Sequence, residues 1–206
     1  MMEKKNFNYM LVFEPILLHL LEGEMENPEA FLTACKNSIG QFVDKGKDKF
    51  PQDLLMFIGM PFWIYINLKE KLGQEKAFEI TKICMLAGGV TIQSILFDSV
   101  HYPRDFKTFI ERELLINQSG STKWNVLEVK EKSDCRFELV VTKCMYHELT
   151  THMGIPEATP VICQVDNALF NSYLPEEMIF QRGGLNRRIA DGSNDGCHFI
   201  FERIPK

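Results

Sequence analysis

Arg136-Phe137-Glu138-Leu139-Val140-Val141-Thr142-Lys143-Cys144-Met145-Tyr146-His147-Glu148 is where the chain passes from one local geometry to another. Residues 136–142 mix β-branched, aromatic and charged side chains, the composition of a strand. Their apolar members do not alternate strictly, so the sidedness of that strand stays open. From Lys143 to Met153 the spacing turns helical, and Gly154-Ile155-Pro156 supplies a stop followed by a proline restart. A second helix is expected over about 157–173, ended by Pro175. Upstream, Trp124, Val126, Leu127 and Val129 fit an earlier strand. Downstream, Met178-Ile179-Phe180 and the stretch from Cys197 to Glu202 read as two more, joined through a polar, Gly-containing segment. The later half is therefore β-β-α-α-β-β, an α+β layer of one sheet with helices on one face.

Working outward, Asn117-Gln118-Ser119-Gly120-Ser121-Thr122 is the clearest break in composition, and the boundary between a helical region (1–116) and the α+β region (117–206) is expected there. Ahead of it every segment is helical. Leu11, Phe13, Ile16, Leu17, Leu20 and Leu21 recur at three- and four-residue steps. Asn27-Pro28-Glu29 looks like a helix start, carrying a segment to about Lys45-Gly46. Pro51-Gln52-Asp53 opens a third helix, apolar nearly all round through Ile66, with a kink expected at Pro61 and a stop at Gly73. Gln74 to about Val100 reads as a long fourth helix in which Gly88-Gly89 permits close approach of a neighbour. Pro103 starts a fifth, with Phe106, Phe109, Ile110 and Leu114 on one face.

With 206 residues, 45% of them hydrophobic, the chain can bury a substantial core without disulfide staples. Its net charge of −5 lacks the broad basic footprint with which non-specific nucleic-acid binders neutralise phosphates. A small molecule is the expected partner, with no nucleic acid and no membrane. The polar start, Met1 to Asn6, and the early Glu14 and Pro15 do not make a signal peptide. The longest uncharged apolar stretch, Leu54 to Leu68, is too short to span a bilayer. A cytoplasmic location is expected. Six cysteines without a CxxC pair read as free thiols, and Cys35, Cys84 and Cys135 as ordinary structural residues.

The other three cysteines fall at element edges or on helix faces. Cys144 follows a strand and opens a helix, Cys163 lies within the next helix, and Cys197 opens the last strand. His147 and Glu148 lie within one turn of Cys144, and Asp166 lies three residues after Cys163, on the same helical face. A thiol at a helix start is readily ionised, because the unpaired amides there favour negative charge, and this makes Cys144 the best candidate nucleophile. The competing reading buries all these thiols as core residues.

Phe137 to Cys144, then Tyr146 and Glu148, Gly154-Ile155-Pro156-Glu157, Cys163-x-x-Asp166, Pro175 and the closing Cys197-x-Phe199 together resemble the L-2-amino-thiazoline-4-carboxylic acid hydrolase family over residues 124 to 203. No single piece is specific; order and spacing are. That family opens the thiazoline ring with water to give N-carbamoyl-L-cysteine, in a bacterial route to cysteine. The resemblance implies a hydrolase acting on C–N or C–S bonds, and marks Cys144, Glu148, Cys163, Asp166 and Cys197 as the site cluster. The chain departs from the family pattern near its end, where His198 stands in place of an aspartate and either Arg182 or Arg187 takes the place of the family arginine.

One mechanism uses the Cys144 thiolate on the amidine-like ring carbon, with Asp166 or Glu148 as acid and base. Arg182 or Arg187 then holds the substrate carboxylate, and Cys197, His147 and His198 line the site. No cofactor is needed. The alternative is zinc on Cys144, Cys163 and Cys197 with Asp166, His147 or His198, although zinc sites usually show close cysteine pairs and these cysteines lie 19 and 34 residues apart. A non-enzymatic alternative also exists. The same element order resembles small-molecule sensor domains related to 4-vinyl reductases. The helical first half would serve as a homo-oligomer face or a lid.

Overall fold

The computed structural model describes residues 9–97, 103–184 and 187–205. Residues 1–8 and the expected end of the fourth helix near Val100 lie outside the described residues. In order the elements are α1 (Met10–Leu21), α2 (Pro28–Ser38), α3 (Gly40–Gly46), α4 (Gln52–Leu72), α5 (Gln74–Phe97), α6 (Phe106–Ser119), β1 (Val126–Lys132), β2 (Arg136–Lys143), α7 (Met145–Met153), α8 (Thr159–Tyr173), β3 (Met178–Gln181) and β4 (Cys197–Arg203). The chain is of the α+β class, and its later half has the β-β-α-α-β-β order read from the sequence. Two compact units share it: residues 1–92 with 149–165, and residues 93–148 with 166–206. The chain passes between them inside α5, α7 and α8.

The first unit is helical. Phe13, Leu17 and Leu21 of α1 are fully buried, as are Leu54, Leu55, Phe62 and Leu68 of α4. The segment expected as one helix over 28–45 is two, broken at Ile39. Ser38 turns its hydroxyl back onto the Ala34 carbonyl (2.7 Å) and receives the Trp63 indole N–H (3.0 Å), which favours a local break. α4 runs through Pro61 without interruption, and Gly73 ends it at φ 81°. α5 is long and apolar enough to cross a membrane by length and composition. Its Gly89 admits Val165, whose Cγ2 would lie 2.7 Å from an added Cβ. The turn after α7 is tied down by Glu157, which accepts from the Tyr65 hydroxyl (2.7 Å) and the Lys69 ammonium (3.0 Å).

The second unit is one antiparallel sheet, in the order β1-β2-β4-β3, with α6 and the end of α8 packed on one face. In register, Phe137 pairs with Phe201, Leu139 with Phe199 and Val141 with Cys197, and Phe180 faces Phe201 from the other side. These residues point to the helices. Phe201 is fully enclosed by the rings of Phe109, Phe137, Phe170 and Phe180, with centroids 4.8–5.9 Å away. The imperfect alternation of β2 has a direct cause. Val140 and Ile200 point to the opposite face, yet both are buried, because the loop between β3 and β4 crosses them with Gly196 beside Val140 and Gly183 beside Ile200.

Truncating Phe201 removes the ring on which both layers of this unit meet. Phe201→Ala is expected to destabilise the protein by about 3–5 kcal/mol, read as a shift in the urea unfolding midpoint.

Candidate active site

β2 ends at Lys143 and α7 begins at Met145, so Cys144 caps the helix. Its carbonyl accepts from the Glu148 amide (3.1 Å), and its thiol faces the amides of His147 and Tyr146. The Met145 amide goes to Asn125 Oδ1 at 2.9 Å. The position is the one read from the sequence, but the acidity is different. Burial pushes the Cys144 thiol up to about 11, and the two amides only partly oppose it. Cys144 therefore rests as a thiol.

Cys197 lies across the sheet from Val141, and its sulfur accepts from the Ile189 amide at 3.1 Å. Gly196 sets it there: at φ 92°, with the Val141 carbonyl oxygen 2.6 Å from where a Cβ would be, no other residue fits. Cys144 and Cys197 are close enough for the charge of one to raise the other.

Asp166 of α8 lies beside them, its side chain 16% exposed. Its carboxylate pairs with Arg182, Nη2 to Oδ2 at 3.4 Å, and accepts from Gln93 of α5 at 3.4 Å. Burial pushes Asp166 above the ordinary carboxylate range, and Arg182 pulls the other way. Arg182, just past β3, also donates through Nε to Asn167 (3.1 Å) and stacks its guanidinium over Phe199, 4.3 Å from the ring centre. Four of the sequence-derived residues, Cys144, Asp166, Arg182 and Cys197, thus gather at one end of the aromatic core.

The others lie elsewhere. Cys163 is a buried residue of the first unit. Glu148 sits on an exposed surface paired with Lys143 at 3.5 Å. His147 supplies its backbone amide to Cys144. His198 alternates onto the opposite face of the sheet, with Glu138 and Arg187 each at 3.5 Å, and Arg187 also pairs with Asp195. Among the described residues, no group of three or more histidine, cysteine or acidic side chains is placed to hold a metal ion.

Two polar members were not foreseen. Glu113 of α6 is buried and accepts from Asn117 Nδ2 at 2.8 Å, while Asn117 Oδ1 takes the Thr122 hydroxyl at 2.9 Å. Burial pushes Glu113 up to about 7, and the charge of Asp166 adds to the shift. The sequence carries the clue. Phe106, Phe109, Ile110 and Glu113 stand at i, i+3, i+4 and i+7, so the carboxyl belongs to the apolar stripe, beside Leu114, which packs against the same core as expected.

A family model described as L-2-amino-thiazoline-4-carboxylic acid hydrolase matches residues 55–201. The chain belongs to this family. No curated protein and no solved structure matches it. As a member of the aminothiazoline carboxylate hydrolase family, the protein carries the family pattern well upstream of the strands, from within α4. The matched stretch therefore includes Gln93, Glu113 and Asn117 as well as the cysteines and Asp166.

Two outcomes check this electrostatic picture. With iodoacetamide and peptide mass mapping, exposed Cys135 should be alkylated first, and the rate at Cys144 should keep climbing with pH to about 10 without levelling. Because folded Glu113 keeps its proton at pH values where the unfolded chain has lost it, its burial lowers stability increasingly as pH rises from the usual carboxylate range to about 7. Glu113→Gln should therefore gain on the wild type in urea midpoint between about pH 5 and about pH 8.

Proposed function

We propose that the protein opens the ring of L-2-amino-thiazoline-4-carboxylate, or a close heterocyclic analogue, with water, using Cys144 as nucleophile. The observation that carries this reading is the meeting of a helix-capping thiol, a half-buried carboxylate and a guanidinium within the family match. Membership of the family supports hydrolysis; the residue roles are inferred from the geometry.

In the proposed sequence the Cys144 thiol gives its proton to Asp166 as its sulfur bonds to the amidine carbon of the ring. The ring C–S bond then breaks, and the departing sulfur takes the proton from Asp166. An S-linked isothiourea remains on Cys144. Water adds to the same carbon, giving a proton to Asp166, and the C–S bond to Cys144 breaks, leaving the carbamoyl product and a thiol reprotonated from Asp166. Atoms balance to one water per turnover. A buried thiol with a high pKa is compatible with this order, because the base acts during attack instead of beforehand. Asp166 is preferred over Glu148, which is exposed and salt-bridged. Arg182 is preferred over Arg187 for the substrate carboxylate, since it shares the face that carries Cys197 and Phe199.

The test is product analysis with L-2-amino-thiazoline-4-carboxylate. Cys144→Ala and Cys144→Ser should fold and lose turnover. Asp166→Asn should cost about 10²–10⁴-fold in kcat. Arg182→Lys should raise KM by roughly tenfold to a hundredfold. Turnover retained without the Cys144 sulfur would defeat the covalent route. Loss on chelation that zinc restores would move the chemistry to a metal, and tight binding without turnover would favour a sensor.

A further inference from the structure

Arg182 follows β3 directly and stands before Gly183 and Gly184, both at positive φ (73° and 129°), so no strand or helix holds the backbone on that side. A long side chain at such a place has many rotamers to lose, yet this one is only 11% exposed and is held on an edge and on a face. On the edge, Nε donates to Asn167 Oδ1 at 3.1 Å and Nη2 to Asp166 Oδ2 at 3.4 Å. Asp166 and Asn167 are consecutive residues of α8, and Nε and Nη2 share one edge of the planar guanidinium. On the face, the Phe199 ring centre lies 4.3 Å and the Phe180 ring centre 5.3 Å from Cζ. Two points along an edge and one face fix the orientation of a plane.

The two edge contacts differ in kind. The Asp166 contact is long for a charge-assisted bond, for which about 2.7–2.9 Å is usual, and what it supplies is charge. Asn167 makes the shorter contact. As a neutral acceptor it directs the guanidinium without bringing a second negative charge to it. We propose that Asn167 is a positioning residue: it sets the plane of the Arg182 guanidinium, and through it selects substrates that carry a carboxylate. The selection rests on the hydrolytic reading above, in which Arg182 holds that carboxylate; the clamp on Nε does not. A released guanidinium would still attract an anion but would no longer present its fork in one orientation.

The experiment follows the Nε–H resonance of Arg182 in ¹⁵N-labelled protein, identified as the signal missing in Arg182→Lys. Its exchange with water should be slow in the wild type and roughly tenfold faster in Asn167→Ala, while Asn167→Asp, which keeps an acceptor in place, should leave it slow. Exchange unmoved by Asn167→Ala overturns the proposal; if that variant does not fold, Asn167→Leu, which fills the space without an acceptor, makes the same comparison. In kinetics, Asn167→Ala should raise KM for L-2-amino-thiazoline-4-carboxylate by roughly threefold to tenfold with kcat nearly unchanged. The inhibition constant of 2-amino-2-thiazoline, which lacks the carboxylate, should stay where it is. An equal loss for both compounds is the mark of a merely structural role and overturns the selection. Fast exchange in Asn167→Ala without ring opening by the wild type removes the hydrolytic reading and leaves the clamp. Ring opening with exchange unmoved removes this inference alone.

Discussion

The pairing of Arg182 with Asp166 at 3.4 Å anchors the polar end of the second unit, beside Cys144 and Cys197 and next to the aromatic core. Charge is expensive where water is largely excluded, so the placement of that guanidinium bears on the protonation of its neighbours. It is committed to Asp166. Burial pushes both thiols and Glu113 toward their neutral forms, and it raises Asp166 against the opposing pull of Arg182.

The fold of the second unit builds this patch from pieces distant in the chain. The sheet register sets Cys197 opposite Val141, three residues before Cys144, so the two thiols approach through a strand pairing and not through sequence proximity. The stacked rings of Phe137, Phe180 and Phe201 fill the space below. They fix the distance between sheet and helices, which in turn sets how far Asp166 on α8 stands from Arg182 beyond β3. A core packed in this way sets the spacing of the polar end.

Burial also changes what a helix start does. At an exposed N-terminus the free amides would lower a thiol's pKa, and at Cys144 they are present, but desolvation is larger. A thiol raised in this way is largely protonated at neutral pH, and the protonated form is the weaker nucleophile.

The element order of the later half, the positions of Cys144 and Cys197 at element edges, and the family were all legible in the sequence. They depend on local chemistry: strand composition around 136–142, the stop at Gly154, and the spacing of a few polar residues. What the sequence could not supply depends on three-dimensional neighbours. Alternation of side chains across a strand sends His198 away from the face that carries Cys197 and Phe199, although the residues adjoin. Surface exposure turns Glu148 into a partner of Lys143, and a helical period places Glu113 in the core alongside Leu114. A pKa is the sharpest case. The sequence determined that a cysteine caps a helix, and only the tertiary structure decided that the cap is dry, because solvation is a property of everything that surrounds the sulfur and of no stretch of chain by itself.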